Sequence, residues 1–164
     1  MKKIYLLLTL MLLPFAAMAD DSGSCGENVT YTFVEETGTL TISGTGAMKD
    51  YSNYGSYLSP WNSYCDKILR VIVEEGVTTI GNYAFYGNDK DKNCKNLISV
   101  SLPNGLTSIG SAAFQNCKSL VTISIPSNVT TIGQNAFDGC SGIISLAIPD
   151  GVTTINDYTF RNCI

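Results

Sequence analysis

The chain has 164 residues, with 10 basic and 14 acidic side chains, no histidine and a formal net charge of −4. The lack of histidine removes the commonest general base and excludes the Ser-His-Asp triad and most zinc sites. An acidic chain without basic clusters argues against nucleic acid or an anionic membrane as a partner. The length suits one domain or a short array of repeats.

The N-terminus has the pattern of a secretory signal. Two lysines precede an apolar run over residues 4–18, and small residues at Ala17 and Ala19 predict cleavage after Ala19. The run is shorter than the ~20 residues that a transmembrane helix needs. Loss of residues 1–19 would lower the formal net charge from −4 to about −6. The alternative is a lipoprotein anchored at Cys25, although the "SGS" before that cysteine lacks the expected aliphatic residue.

Residues 20–67 are predicted to form an N-terminal cap. The strings "VTYTF" and "LTIS" alternate apolar and polar residues and flank the turn signal "EETG", which predicts a β-hairpin. An array of repeats needs such a cover, because its first unit otherwise exposes an apolar cross-section.

A tyrosine-rich loop follows the predicted hairpin. The string "DYSNYGSYLSPWNSY" sets aromatic residues among serine, asparagine and glycine, a mixture typical of rigid contact surfaces with adaptable hydrogen bonds. We select Tyr51, Tyr54 and Tyr57 as candidate ligand-binding residues. In the alternative interpretation the aromatic residues plug the open end of the array, and for Trp61 we favour that structural role.

Apolar residues recur in four consecutive segments after the cap. The segments 68–96, 97–119, 120–142 and 143–164 each begin with an L-x-x-L-x-L pattern, and the last three keep a 23-residue step. This pattern at a period of 20–29 residues is the leucine-rich repeat signature. The matching isoleucines are Ile80, Ile109, Ile132 and Ile155, and the matching phenylalanines are Phe85, Phe114, Phe137 and Phe160.

Each repeat is too small to fold alone, so stacking must bury the aliphatic and phenyl ladders. Alternating residues predict one short strand per repeat, and these strands should stack into a parallel sheet. Tight turns are expected at Gly76, Gly105, Asn128 and Gly151, since these residues tolerate positive φ. A second extended segment, Val-Thr-Thr-Ile or a variant of it, should follow, and then a single helical or 3₁₀ turn at "GQNAF" and its cognates.

The expected fold class is therefore an α/β repeat that is mostly β. It should be a right-handed leucine-rich-repeat solenoid with one short parallel strand and one helical or 3₁₀ turn per 23-residue repeat, behind the β-hairpin cap.

The predicted strand face offers small polar side chains in place of catalytic groups. Ser99 and Ser101 alternate with apolar residues in the second repeat, as Thr122 and Ser124 do in the third. These four are candidate ligand-binding residues on a concave sheet. Because the carboxylates are scattered through turns and connecting segments, paired acids across a cleft are not expected. We predict no catalytic residue, no cofactor and no metal.

Five of the six cysteines share one position of the repeat. Equivalent positions in stacked repeats lie about 4.8 Å apart with parallel side chains, which holds their Cβ atoms beyond the ~3.8 Å typical of a disulfide. A line of sulfurs also cannot surround zinc tetrahedrally. A Cys25 to Cys65 disulfide stays possible in an exported protein. The expected ladder of buried free thiols consists of Cys65, Cys94, Cys117, Cys140 and Cys163.

The first repeat is six residues longer than the others, and the extra residues fall in "YGNDKDKN". Asp89, Asp91 and Asn93 alternate there as the ligands of calcium loops do. The glycine and glutamate positions of such a loop are occupied by Cys94 and Val100, so we interpret the segment as a solvated charged loop.

The string "LVTISIPSNVTTIGQNAFDGCSGI", with its relatives at Leu97 and Ile143, closely resembles the BspA-like leucine-rich repeats of bacterial surface proteins. The segment from Cys25 to Gly81 also resembles the cap found ahead of such arrays. The resemblance implies an exported, often surface-attached binding protein, in some members an adhesin for host matrix proteins or for other bacteria.

Two functional hypotheses follow. In the first, the array binds a host or bacterial surface protein or a glycan through the concave face and the tyrosine-rich loop, without catalysis, nucleic acid or membrane insertion. In the second, it is a structural spacer or an accessory module of a longer surface protein or extracellular enzyme. Ile164 stands where a fifth repeat would begin, which is the reason for keeping the second hypothesis. The sequence does not identify a ligand or an oligomeric state.

Overall fold

The computed structural model of the chain describes residues 19–87 and 94–163. The predicted leader apart from Ala19, and the loop 88–93 with the calcium candidates, lie outside these residues. Within them the chain is mostly β, with one 3₁₀-helix, Asn62–Lys67. The strands are β1 (Asp21–Ser24), β2 (Val29–Val34), β3 (Thr39–Gly44), β4 (Gly46–Ala47), β5 (Arg70–Val73), β6 (Val77–Ile80), β7 (Ser99–Ser101), β8 (Ser108–Ile109), β9 (Thr122–Ile123) and β10 (Thr131–Ile132).

Six strands form the first sheet, in the order β1-β2-β3-β5-β7-β9. β1, β2 and β3 pair antiparallel, where the sequence predicts a hairpin of two strands. The additional strand β1 reads Asp-Ser-Gly-Ser, and without apolar residues its pattern gives no strand signal. From β3 onward the pairing is parallel, with one strand from each of the first three repeats. This register sets Leu40, Val71, Val100 and Ile123 side by side, and all four are buried.

Four strands form the second sheet, in the order β10-β8-β6-β4, and all of its pairs are parallel. The repeats contribute their Val-Thr-Thr-Ile segments or variants of them. In β6, for example, Val77 and Ile80 are buried while Thr78 and Thr79 between them are partly exposed. β4 belongs to the cap, so the cap supplies a strand against which the first repeat pairs in each sheet.

The segments from "GNYAF" to "GQNAF" were expected to form a helical or 3₁₀ turn, and this expectation is wrong. They form successive β-turns, as where Gln115 N donates to Ala112 O at 3.3 Å. The third residue of each segment is left-handed, with φ of 52° at Ala112 and 58° at Asn135. The amides face the next repeat, and Phe114 N donates to Ala136 O at 2.8 Å. Hydrogen bonds between repeats thus replace those that a helix would make within one repeat.

These turns form a third side of the stack, which we call the turn side. It consists of residues 81–87, 110–117, 133–140 and 156–163. Its amides join each repeat to the following one, and the phenylalanines mark the register: Phe85 N donates to Ala113 O and Phe137 N donates to Thr159 O, at 2.8 and 2.9 Å. The backbone is therefore paired along all three sides.

The tight turns after the first-sheet strands recur as expected, but their backbone differs from the prediction. Leu106 N donates to Pro103 O at 3.1 Å, and Val129 N and Val152 N make the equivalent bonds. Only Gly76 is left-handed, with φ of 102°, whereas Gly105, Asn128 and Gly151 are not. A turn of this kind needs no positive φ, so the glycines of the later repeats are not required by their own backbone.

The core is a column of stacked aromatic rings with aliphatic ladders beside it. Successive ring centroids from Trp61 through Phe85, Phe114 and Phe137 to Phe160 are 5.3 to 5.6 Å apart. The fourth repeat forms no strand in its described residues, and its Ile148 and Ile155 are more exposed than their counterparts.

Candidate functional site

The outward side chains of the first sheet form a flat polar surface, which we call the hydroxyl face. It consists of Arg70, Ile72, Ser99, Ser101, Thr122 and Ser124. The register places Arg70, Ser99 and Thr122 in one row across three strands and Ile72 beside Ser101. The structure thus brings together the four hydroxyl residues that the sequence selected. Their role in binding stays a prediction.

A shallow depression of about 370 Å³ lies on the hydroxyl face. Asn104 and Pro126, from the turns after the strands, border one end of it. Within the described part of the chain the guanidinium of Arg70 has no ion-pair partner, and 41% of Ile72 is exposed. The depression therefore offers hydroxyls, one guanidinium and an aliphatic side chain, and its lining residues include no general base beside the hydroxyls.

An exposed aliphatic stripe that was not predicted from the sequence adjoins the hydroxyl face. The stripe consists of Leu69, Ile98, Val121 and Ile144, exposed by 38%, 47%, 52% and 94%. The first three are linked directly, since Ile98 N donates to Leu69 O and Val121 N to Ile98 O. Each stripe residue directly follows a buried L-x-x-L-x-L residue, so its recurrence at one register position was the available signal.

The tyrosine-rich loop lies on a different side of the molecule. The loop follows the second-sheet strand β4 and precedes Trp61, the first ring of the aromatic column. In each repeat the turn side likewise comes after the second-sheet segment. The loop is therefore the counterpart of the turn side in the cap. Tyr51 N donates to Asn82 O at 2.9 Å, which fixes the loop against the first repeat. The structure therefore does not bring the loop and the hydroxyl face together into one surface.

The three candidate tyrosines differ in exposure. Tyr54 and Tyr57 are 76% and 75% exposed. Tyr51 is half-buried, its ring meets that of Trp61 edge-on at 5.8 Å, and its hydroxyl donates to Cys25 O at 3.4 Å. Burial also raises the pKa of the Tyr51 phenol. Most of Tyr51 thus belongs to the cap core, which leaves Tyr54 and Tyr57 as the open contact residues.

Trp61 closes the aromatic column, as the sequence predicts. Its side chain is fully buried, and its ring stacks on Phe85 at 5.4 Å and 17°. Its indole Nε1 donates to Ala84 O at 2.8 Å, so the one polar atom of the ring is satisfied. The expectation that this side chain plugs the open end is confirmed.

The free-thiol ladder is wrong at its first two positions, because Cys65 and Cys94 form a disulfide. Their Cα atoms are 4.7 Å apart, within the range that natural disulfides span. The prediction assumed identical turns, but Cys65 lies on the 3₁₀-helix of the cap, four residues after Trp61. Cys117 instead follows Phe114 by three residues. The possible Cys25 to Cys65 disulfide is likewise excluded, since Cys25 is free and buried.

The remaining ladder cysteines are free thiols bound to backbone. Cys117 Sγ donates to Phe85 O at 3.2 Å, and Cys140 and Cys163 make the same contact one and two repeats later, each at 3.0 Å. Burial raises the pKa of the Cys117 and Cys140 thiols well above the usual range. These thiols therefore stay protonated, unlike the thiolates that act as nucleophiles.

The repeats can now be compared with known proteins. Residues 91–164 match the family described as "BspA type Leucine rich repeat region (6 copies)". The chain carries a BspA-type leucine-rich repeat region. No curated protein matches it at a significant level.

Solved structures with the same fold come from bacterial leucine-rich repeat proteins. A protein from Eubacterium ventriosum is 29% identical with a TM-score of 0.70, over 87% of this chain and 35% of its own. The T. pallidum leucine rich repeat protein is 28% identical with a TM-score of 0.57, over 81% of this chain and 64% of its own. A leucine rich cell surface protein from Faecalibacterium prausnitzii is 26% identical with a TM-score of 0.58, over 90% of this chain and 42% of its own. The chain thus spans about one to two thirds of the length of these relatives.

The BspA-type repeats also carry a polar ladder on the turn side. Gln115, Asp138 and Arg161 occupy equivalent positions, and the Asp138 carboxylate accepts from Gln115 Nε2 at 2.9 Å and from Arg161 Nη2 at 2.6 Å. The Asp138 side chain is only 4% exposed. Hydrogen bonds from Arg161 lower the pKa of this carboxyl, against the effect of burial. The ladder links the last three BspA-type repeats, which identifies Asp138 as structural.

The cap ahead of the BspA-type repeats contains Cys25. Cys25 is fully buried, its amide donates to Val29 O at 2.9 Å, and burial raises the pKa of its thiol to about 12. β1, directly before it, pairs with β2. These contacts make Cys25 part of the cap core.

Over residues 19–87 and 94–163, no group of three or more His, Cys, Asp or Glu side chains could hold a metal ion. In the same residues no helix is both long and apolar enough to cross a membrane.

Proposed function

We propose that this protein is an exported, non-catalytic binding protein that recognises a partner protein in the manner of an adhesin. The observation that carries the proposal is the aliphatic stripe beside the hydroxyl face. Leu69, Ile98 and Val121 expose 38% to 52% of their side chains in one row, next to a row of Arg70, Ser99 and Thr122.

The composition of this surface favours a protein over a sugar. Protein interfaces combine an apolar centre with polar groups around it, and aliphatic side chains contribute there through the area they remove from water. The guanidinium of Arg70, which has no ion-pair partner among the described residues, can pair with a carboxylate of the partner protein. The hydroxyl face holds no aromatic ring on which a sugar would stack.

Export and surface location are supported by three independent features. The N-terminus has the pattern of a cleavable leader. The Cys65–Cys94 disulfide suits an oxidising compartment outside the cytoplasm. One protein with a related fold is a leucine rich cell surface protein. We extend the proposal to the shape of the array: a right-handed solenoid, with 20–67 as its cap and four repeats over 68–164.

The proposal is tested by biolayer interferometry on the purified, leaderless chain. Immobilised fibronectin, laminin and type I collagen represent host matrix proteins. We expect at least one to bind, and Ile98→Ser to weaken that binding because it removes an aliphatic contact from the centre of the stripe. The matched control is Ile155→Ser, the same change at a side chain that is 52% exposed but lies in the fourth repeat outside the stripe. Equal loss in both variants would contradict the proposed face, and no binding to any of the three would contradict the adhesin function.

A further inference from the structure

A second groove runs along the corner where the second sheet meets the turn side, and we call it the corner groove. One part of it, of about 350 Å³, extends from Asp50 in the cap across three repeats to Thr131 and Gly133. A second part, of about 250 Å³, lies between Tyr83 and Asn135. Ser111 lines both parts, so they are continuous. The corner groove lies on other sides of the molecule than the hydroxyl face and the aliphatic stripe.

The polar groups along the corner groove are held in place and still have free hydrogen-bonding capacity. Asp50 Oδ1 accepts from Asn82 N at 2.8 Å, and Asn82 Oδ1 accepts from Ser111 N at 2.6 Å. Within the described residues, Asp50 Oδ2, Asn82 Nδ2 and Ser111 Oγ have no partner. The backbone contacts fix these side chains, which present alternating acceptors and donors to a ligand.

One acceptor in the groove is shielded from solvent and unsatisfied. Asn135 Oδ1 makes no hydrogen bond and is buried. Asn135 lies at a left-handed position, φ 58°, where the preceding repeats have Ala112 and Tyr83. The backbone there does not require an amide side chain. A buried acceptor without a donor is unusual in a native protein. Asn135 lines the groove, so a rotation of its amide group brings Oδ1 within reach of a ligand hydroxyl.

Tyrosine rings stand at the cap end of the groove. Tyr83 lines it and meets Tyr86 edge-on at 5.4 Å. The loop with Tyr54 and Tyr57 begins beside the groove, where Tyr51 N donates to Asn82 O, and Ser52 N donates to Tyr57 O at 2.7 Å; both rings are about three-quarters exposed. Their open faces can stack against the C–H faces of sugar rings while their hydroxyls stay in water.

We propose that the corner groove binds a neutral oligosaccharide. The repeats present their polar groups at the strand spacing of about 4.8 Å, which is comparable to the length of one sugar ring in an extended chain. The ligand lies along the array, stacks on the tyrosines at the cap end and donates a hydroxyl hydrogen to Asn135 Oδ1. The Asp50 carboxylate and the net charge of −4 disfavour an acidic sugar.

Titration calorimetry on the leaderless chain tests this site with four probes: chitohexaose, cellohexaose, mannohexaose and, as the acidic comparison, a galacturonic acid hexamer. We expect at least one neutral hexamer to bind with a Kd of about 1 mM or tighter. Asn135→Gly should weaken that binding about fivefold and leave thermal stability unchanged or higher, because glycine accepts the left-handed backbone and the orphaned acceptor is gone. Tyr57→Ala should weaken it by a similar factor.

The control is Thr32→Ala, at an exposed hydroxyl on β2 of the cap that lines none of the depressions described above, and it should bind the oligosaccharide as the natural chain does. No heat from any neutral hexamer at about 5 mM would overturn the proposal. Equal affinity in the natural chain, Asn135→Gly and Tyr57→Ala would overturn it as well, as would binding of the acidic hexamer alone. The assay contains no protein partner, so its outcome is independent of the proposed adhesin function.

Discussion

The aromatic column predicts which substitution destabilises the array most. Phe137 is fully buried, with Phe114 at 5.5 Å on one side and Phe160 at 5.6 Å on the other. Phe137→Ala removes ring contacts from two interfaces between repeats at once, and stability in such arrays depends on those interfaces. For a fully buried phenylalanine the expected loss is about 3–5 kcal/mol in the free energy of unfolding.

The comparison variant is Phe160→Ala. Phe160 is partly buried and stacks on Phe137 at one interface, so its loss should cost about half as much, on the order of 1–3 kcal/mol. Tyr57→Ala, at a ring that is 75% exposed, should be nearly neutral. Urea unfolding followed by circular dichroism at 25 °C measures all three. A loss below about 1 kcal/mol for Phe137→Ala, or equal losses at Phe137 and Phe160, would refute the reasoning.

Three further predictions concern the cysteines and the polar ladder. Cys117→Ser should lower the free energy of unfolding by about 1–2 kcal/mol, because a hydroxyl costs more to bury than a thiol; urea unfolding measures this loss. The same variant should bind any partner as the natural chain does, which interferometry checks. Peptide mapping of the unreduced protein should recover Cys65 linked to Cys94, and finding both as free thiols would contradict the assignment. Asp138→Asn should be less stable than the natural chain at neutral pH. Because the folded pKa of Asp138 is lowered, this stabilisation is fully present above the usual value of 3.8 and is lost as the pH falls through the folded pKa. The melting temperatures of the two chains should therefore converge as the pH falls, and a difference that stays constant over the acidic range would contradict the role of the charge.

The repeat register could be predicted because burial repeats with the sequence. Phe114 and Phe137 are one period apart and both point into the core, as do Ile109 and Ile132. The period of the apolar residues predicts which side chains are buried, and these side chains are buried in the structure. The parallel pairing of the repeat strands follows from the same register.

The backbone of the turn side could not be predicted in the same way. At "GSAAF" an amide can donate within a helical turn or to the next repeat, and the local sequence is compatible with both. Because the backbone at Ala112 is left-handed, the amides of this segment donate to the next repeat. Alanine gives no signal of positive φ, since it seldom adopts it, so only the stacked neighbour reveals the outcome.

The positions of the candidate binding residues could likewise be predicted only in part. Ser99 and Thr122 could be placed on one face because alternation fixes the direction of side chains on a strand. The side on which Tyr51 and its loop lie is set by contacts such as the bonds of Asn82 with Tyr51 N and Asp50 Oδ1, which no sequence pattern encodes. The disulfide escaped prediction because Cys65 lies in the irregular cap, where equivalence with the repeats breaks down.

The central claim is that the aliphatic stripe beside the hydroxyl face binds a protein. It is tested most directly by the Kd of the double variant Ile98→Ser/Val121→Ser for whichever immobilised matrix protein the natural chain binds. Both side chains are about half exposed, so the fold should be retained. We predict that the Kd rises about tenfold or more, because two adjacent apolar contacts are removed from the interface. An unchanged Kd in a folded double variant would contradict the claim.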